Sequence, residues 1–180
     1  MTAKMEPLVD TLIEDARWQG VELDRLAEQA ALAVVSELGL PESGFEISLM
    51  GCSDTRISDL NADFRGRPQP TNVLSWPSEE RGAARDGATP ALPRPGPAGM
   101  PQELGDIAIA WETCQREAEE QGKPFCDHVT HLIVHAILHL FGYDHVRDAD
   151  AALMEAAETR ILAKLGISDP YEWTGSTTAG

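Results

Sequence analysis

HLIVHAILHLFGYDH (131–145) holds four of the chain's five histidines, and the fifth, His128, stands three residues upstream. The run 125–141 is strongly apolar at helical reach, and Gly142 supplies the stop. Residues four apart on a helix carry Cβ atoms about 5–6 Å from one another, so His135 and His139 project side by side. That separation suits two imidazoles sharing one metal at about 2.0–2.1 Å from each nitrogen. A third ligand on the same straight face would crowd them. Gly142 can take a left-handed conformation and reverse the chain, which brings His145, six residues past His139, back toward the pair.

Three neutral imidazoles leave a fourth position open on a divalent ion, the arrangement of a catalytic site rather than a structural one. Water there can have its pKa lowered to about 7, so hydrolysis is the expected reaction class. The zinc-peptidase pattern H-E-x-x-H places its glutamate base directly after the first histidine. Here that residue is Ala136. A zinc metalloprotease-like hydrolase is therefore the weaker alternative, and a non-catalytic protein in which the metal only holds the helix and turn together is the second. His131 and His128 fall on the same helical arc, where they can support the ligands, meet substrate or simply pack. Asp144, beside His145, is a candidate to hydrogen-bond that ring.

Around this helix the pattern mixes strands and helices without strict alternation, which predicts an α+β fold. Strands are expected at 8–15, 45–51, 71–77 and 103–111. Helices are expected at 22–40, after a cap at Ser53 or Asp54, at 112–123, at 125–141, and from a cap at Asp148 or Asp150 to Leu165. Residues 78–102, rich in Gly, Pro, Ala and Arg, are expected as a long flexible loop, and 171–180 as a tail. The whole reads as a single domain over 1–170.

The 180 residues carry a net charge of −16, unevenly spread. Residues 1–53 hold 3 basic and 10 acidic side chains, 54–95 hold 6 and 6, and 96–180 hold 5 and 14. An anionic partner is therefore to be met in the middle third, by Arg56, Arg65, Arg67, Arg81, Arg85 or Arg94. Duplex DNA is disfavoured as a partner. No apolar run reaches 18 residues, so no membrane span is expected. The acidic N-terminus lacks the order of a signal peptide, and Cys52, Cys114 and Cys126 form no C-x-x-C. Both observations lead to the expectation of a cytoplasmic protein with reduced thiols.

HAILHLFGYDH (135–145) resembles the signature H-G-x-L-H-L-x-G-Y-D-H of the YbeY proteins, the bacterial rRNA maturation factors. LNADFRGRPQPTNVLSWP (60–77) and LGDIAIA (104–110) are similar to two further segments of that family, in the same order. The resemblance implies a small mixed β-sheet packed against several helices, with the metal site on a central helix and the turn after it. It also implies a metal-dependent, single-strand-specific endoribonuclease of 16S rRNA 3′-end maturation, rRNA processing and ribosome quality control. One divalent ion, zinc foremost, would be held by His135, His139 and His145. Arg65 matches the family arginine thought to contact RNA phosphate, and with His139 it is the expected catalytic pair. His131, Asp144 and Asp106 are expected to support the ligands. Single-stranded RNA and the small ribosomal subunit, or proteins bound to it, are the implied partners.

Overall fold

The computed structural model describes residues 6–66 and 68–171, the side chains of residues 64 and 65 excepted. Apolar residues alternate along Phe45–Cys52 (β2), and Phe45, Ile47 and Leu49 turn to the buried side. Three more strands, Val9–Ile13 (β1), Val73–Pro77 (β3) and Gln102–Ala110 (β4), complete a sheet in the order β1-β2-β4-β3. β1 and β4 run parallel to β2, and β3 runs antiparallel to β4, so the sheet is mixed as expected.

Among the described residues five α-helices flank it: Leu23–Glu37 (α1), Asp54–Arg65 (α2), Trp111–Gln121 (α3), Phe125–Leu140 (α4) and Asp148–Lys164 (α5). α4 lies at the centre of the main core, with Val129, Ile133, Val134, Ile137, Leu138 and Leu140 fully buried. Ile107 and Ile109 of β4 join this core, whereas Ala108 and Ala110 turn to a smaller cluster under α2. A 3-10 turn, Ala16–Val21, was not expected. It carries Trp18 into the core, where Nε1 donates to the Cys52 carbonyl at 2.9 Å. This anchor is tertiary, so no local periodicity announces it.

The expected cap of α5 is corrected. Arg147 occupies the N-cap position, and Asp148 and Asp150 lie in the first turn. Asp150 is drawn instead to the long loop, accepting from the Gly87 amide at 2.7 Å and from Arg147 Nε at 2.6 Å. Residues 78–101 contain no helix or strand, yet they are tied down at several points. Arg147 donates to the carbonyls of Ala83 and Ala84, and Asp86 accepts from the Asp150 amide. Arg81, one of the six middle-third arginines, is buried and donates from Nη1 to the Leu140 carbonyl at 2.9 Å. It caps the end of α4 and so serves the fold rather than a partner.

Candidate metal centre

The turn after α4 is built as a Schellman motif. Tyr143 N–H bonds to the Leu138 carbonyl and Gly142 N–H to that of His139, both at 3.0 Å. Gly142 sits at φ +103°, and a Cβ there would lie 2.5 Å from the Arg81 carbonyl oxygen, so only glycine fits. Tyr143 packs back into the core, and His145 is thereby aimed at the helix it has just left.

The result is a convergence of three imidazoles. Ligand atoms of His135, His139 and His145 all lie within 4.8 Å of one another, the one such group of titratable ligand types among the described residues. Nε2 of His135 and Nε2 of His139 are 3.1 Å apart. Two nitrogens held tetrahedrally on one zinc would be separated by about 3.3 Å, so the donor set fits a single small divalent ion. Ring centroids of His145 lie 5.4 Å from His135 and 5.1 Å from His139. His139 has its pKa pushed down to about 4, first by burial and then by the neighbouring His135 and His145 rings. It is neutral at pH 7 and offers a lone pair.

Behind the trio stands a residue the sequence reading missed. Glu158 of α5 is fully buried, and its carboxylate meets His135 Nδ1 at 2.9 Å, His131 Nε2 at 2.8 Å and the Tyr171 hydroxyl at 2.7 Å. Burial pushes the Glu158 carboxyl up, but hydrogen bonds from His131, His135 and the Tyr171 hydroxyl hold it down, at about 2. An ionised carboxylate only accepts, so His135 must carry its proton on Nδ1 and present Nε2 bare. One signal was available: Glu158 occupies the same helical stripe as the buried Met154, Ala157, Ile161 and Leu162.

The other expected residues divide. His131 shares the Glu158 carboxylate with His135. Asp144 lies next to His145, 3.9 Å from its Nδ1, with both side chains half exposed. His128 is buried away from the trio and pairs with Glu117 of α3 at 2.9 Å. Glu117 in turn accepts from Asn72 Nδ2 at 3.1 Å. Asp106 is not brought to the histidines. It stands on the sheet face of Ala108, Met50, Leu60 and Trp76, whereas α4 covers the opposite face. A bulge opposite Glu46 and Ile47 sets this side, since it sends Leu104 to the main core while Asp106 stays with Ala108. Arg65 closes α2, and its side chain lies outside the described residues, as does all of Arg67.

A cleft of about 240 Å³ opens onto the trio, lined besides by Asn72, Val73, Ser75, His131, Leu132, Ala136 and Tyr171. Among the described residues no carboxylate lines it, in a chain with 30 acidic residues. The position a peptidase needs for its base is occupied by the buried Ala136.

Fold and site together define an α+β protein with a three-histidine cluster able to hold a metal ion, backed by a carboxylate and open to a cleft in front. Comparison with known proteins then places it: the chain belongs to the YbeY family, whose model, "Endoribonuclease YbeY", matches residues 10–166. It is 60% identical over 167 residues to the Endoribonuclease YbeY of Cereibacter sphaeroides, covering 93% of this chain and all of that one. To that of Ruegeria pomeroyi it is 57% identical, over 91% of this chain and 97% of the relative. The solution structure of a Thermotoga maritima protein matches the fold with a TM-score of 0.53 at 20% identity, over 92% of this chain and 99% of that one. Among the described residues no helix is long and apolar enough to cross a membrane.

Proposed function

We propose that this chain is a metal-dependent endoribonuclease that hydrolyses phosphodiester bonds of single-stranded RNA during ribosomal RNA processing. The observation that carries the reading is the His135–His139–His145 convergence in a cleft that no carboxylate of the described residues lines, in a chain of the YbeY family. An acidic protein repels polyanions over most of its surface, and a cleft lined by imidazoles and amides is where one can enter.

His135, His139 and His145 would hold one divalent ion, with zinc favoured by an all-imidazole donor set. When bound, such an ion supplies Lewis acidity toward a phosphoryl oxygen and makes water more acidic. Glu158 keeps the His135 proton on Nδ1 and fixes the ring's direction. Asn72 and Ser75 line the cleft with groups that can hydrogen-bond a nucleotide. Arg65, whose guanidinium offers a planar fork, is assigned to a phosphate of the bound strand, where it offsets charge building on phosphorus. Thiols at Cys52, Cys114 and Cys126 are all unpaired, in keeping with a cytoplasmic setting. Targeting to one site in rRNA is assigned to the small ribosomal subunit or its proteins, because the acidic surface gives little attraction of its own.

The test is metal analysis of wild type and of His135→Ala, His139→Ala and His145→Ala, paired with cleavage of an unstructured RNA. His139→Ala is expected to lose both metal and cleavage. Undiminished cleavage by that variant would sink the proposal. Turnover of unstructured casein, lost on chelation, would favour the peptidase alternative.

A further inference from the structure

Tyr171 lines the histidine cleft, yet no step above uses its ring. Among the described residues, the large apolar side chains that stand exposed are Leu12, Met100, Val146 and Tyr171, and of these Tyr171 alone lines the cleft. It is 44% exposed. Its hydroxyl donates to Glu158 Oε1 at 2.7 Å, so the polar end is committed to a buried carboxylate and the cleft is offered the ring. The His131 ring meets it edge-on, at 5.8 Å between centroids and 89° between planes. His131 is itself 6.4 Å from His135, so the aromatic surface and the metal ligands are near neighbours in one cleft.

We propose that Tyr171 is the stacking platform for an unpaired base of the RNA strand, next to the phosphate presented to the three histidines. The inference rests on the endoribonuclease reading and deepens it. Any base has a π-face, so stacking on an aromatic side chain tolerates all sequences. A base inside a duplex is already covered on both faces, and only an unstacked one can lie on the ring. The ring therefore gives the site a physical means of preferring single strands. With its hydroxyl tethered and its ring packed at right angles to His131, it gives up little freedom when a base arrives.

A purely structural role would be to steady Glu158 and, through it, His135. The two roles separate by substitution. Tyr171→Phe keeps the ring and loses the tether, whereas Tyr171→Ala loses both. Steady-state cleavage of a fluorescent single-stranded oligoribonucleotide by the metal-loaded full chain gives KM and kcat, with bound metal measured alongside. Tyr171→Ala is expected to raise KM by about 5- to 150-fold, the loss typical of one stacked base, with metal content unchanged. Tyr171→Phe and Tyr171→Trp should keep the wild-type KM. A single abasic nucleotide moved along the strand should raise KM at one position for wild type and at none for Tyr171→Ala. Equal KM in Tyr171→Ala and wild type, or equal losses of metal and KM in the Phe and Ala variants, would overturn the stacking role alone. A wild type that cleaves no RNA would overturn the endoribonuclease reading, and this inference with it.

Discussion

Glu158 Oε2 lies 2.9 Å from His135 Nδ1, across the interface between α5 and α4. The other oxygen of the same carboxylate takes His131 and Tyr171, so one buried anion orders three cleft residues. A carboxylate behind a ligating histidine fixes its tautomer and raises its basicity. Removing it by Glu158→Gln leaves a side chain that can donate as well as accept, and the His135 tautomer is no longer dictated. We expect metal affinity to fall about 10- to 100-fold, as for other such partners. Competition titration against a chelator measures it, and an affinity equal to wild type would show that Glu158 has no hold on the centre.

Gly142 controls the third ligand in another way. Any side chain at φ +103° is strained, and its Cβ would meet the Arg81 carbonyl oxygen at 2.5 Å. Gly142→Ala is expected to destabilise the fold by at least about 1–2 kcal/mol, the cost of a left-handed alanine before any clash is counted. Displacement of the turn also moves His145, so metal affinity should fall together with stability. Urea denaturation of the chelated protein reads the first effect and metal titration the second. A variant that loses stability but binds metal as tightly as wild type would mean that His145 is not held by this turn.

Much of this arrangement was legible because the physics is local. Helical spacing puts His135 beside His139, and Gly142 marks the reversal that returns His145. Alternation in β2 and the apolar run of α4 set the buried faces, so the mixed α+β character followed. What escaped depends on contacts distant in sequence. Glu158 becomes a site residue only because α5 packs on α4 with that stripe inward. Asp106, expected to support the ligands, stands on the sheet face away from α4, where a one-residue bulge exchanges the two sides of β4. Asp150, read as a cap, is claimed by the amide of Gly87, 63 residues away.

The histidines should differ sharply under substitution. His128 is buried and bonded to Glu117, outside the trio, so His128→Ala removes a hydrogen bond and leaves a small cavity. A stability loss of about 1.5–3 kcal/mol is expected from the lost hydrogen bond to a charged group, with metal content unchanged. His145→Ala, at a side chain 56% exposed, should show the reverse, near-normal folding of the chelated protein and no bound metal. Thermal denaturation in chelator and elemental analysis separate the two. Loss of metal in His128→Ala would place that residue in the centre after all.

Removal of the ion tests whether the centre is catalytic or structural. The trio lies at the rim of the fold, with the His145 side chain 56% exposed, whereas the core below is held by apolar residues of α1, α4 and the sheet. A ligand present at 100 to 1,000 times its dissociation constant stabilises by roughly 2.7–4.1 kcal/mol. A domain of ordinary stability holds about 5–15 kcal/mol, so loss of the ion should lower Tm without unfolding the chain. Chelated protein is therefore expected to keep its far-UV and near-UV circular dichroism while losing RNA cleavage, and to regain cleavage when zinc is restored. Collapse of the near-UV signal on chelation, with no cleavage in any pure metal-loaded preparation, would instead favour an ion that only clamps α4 to its turn.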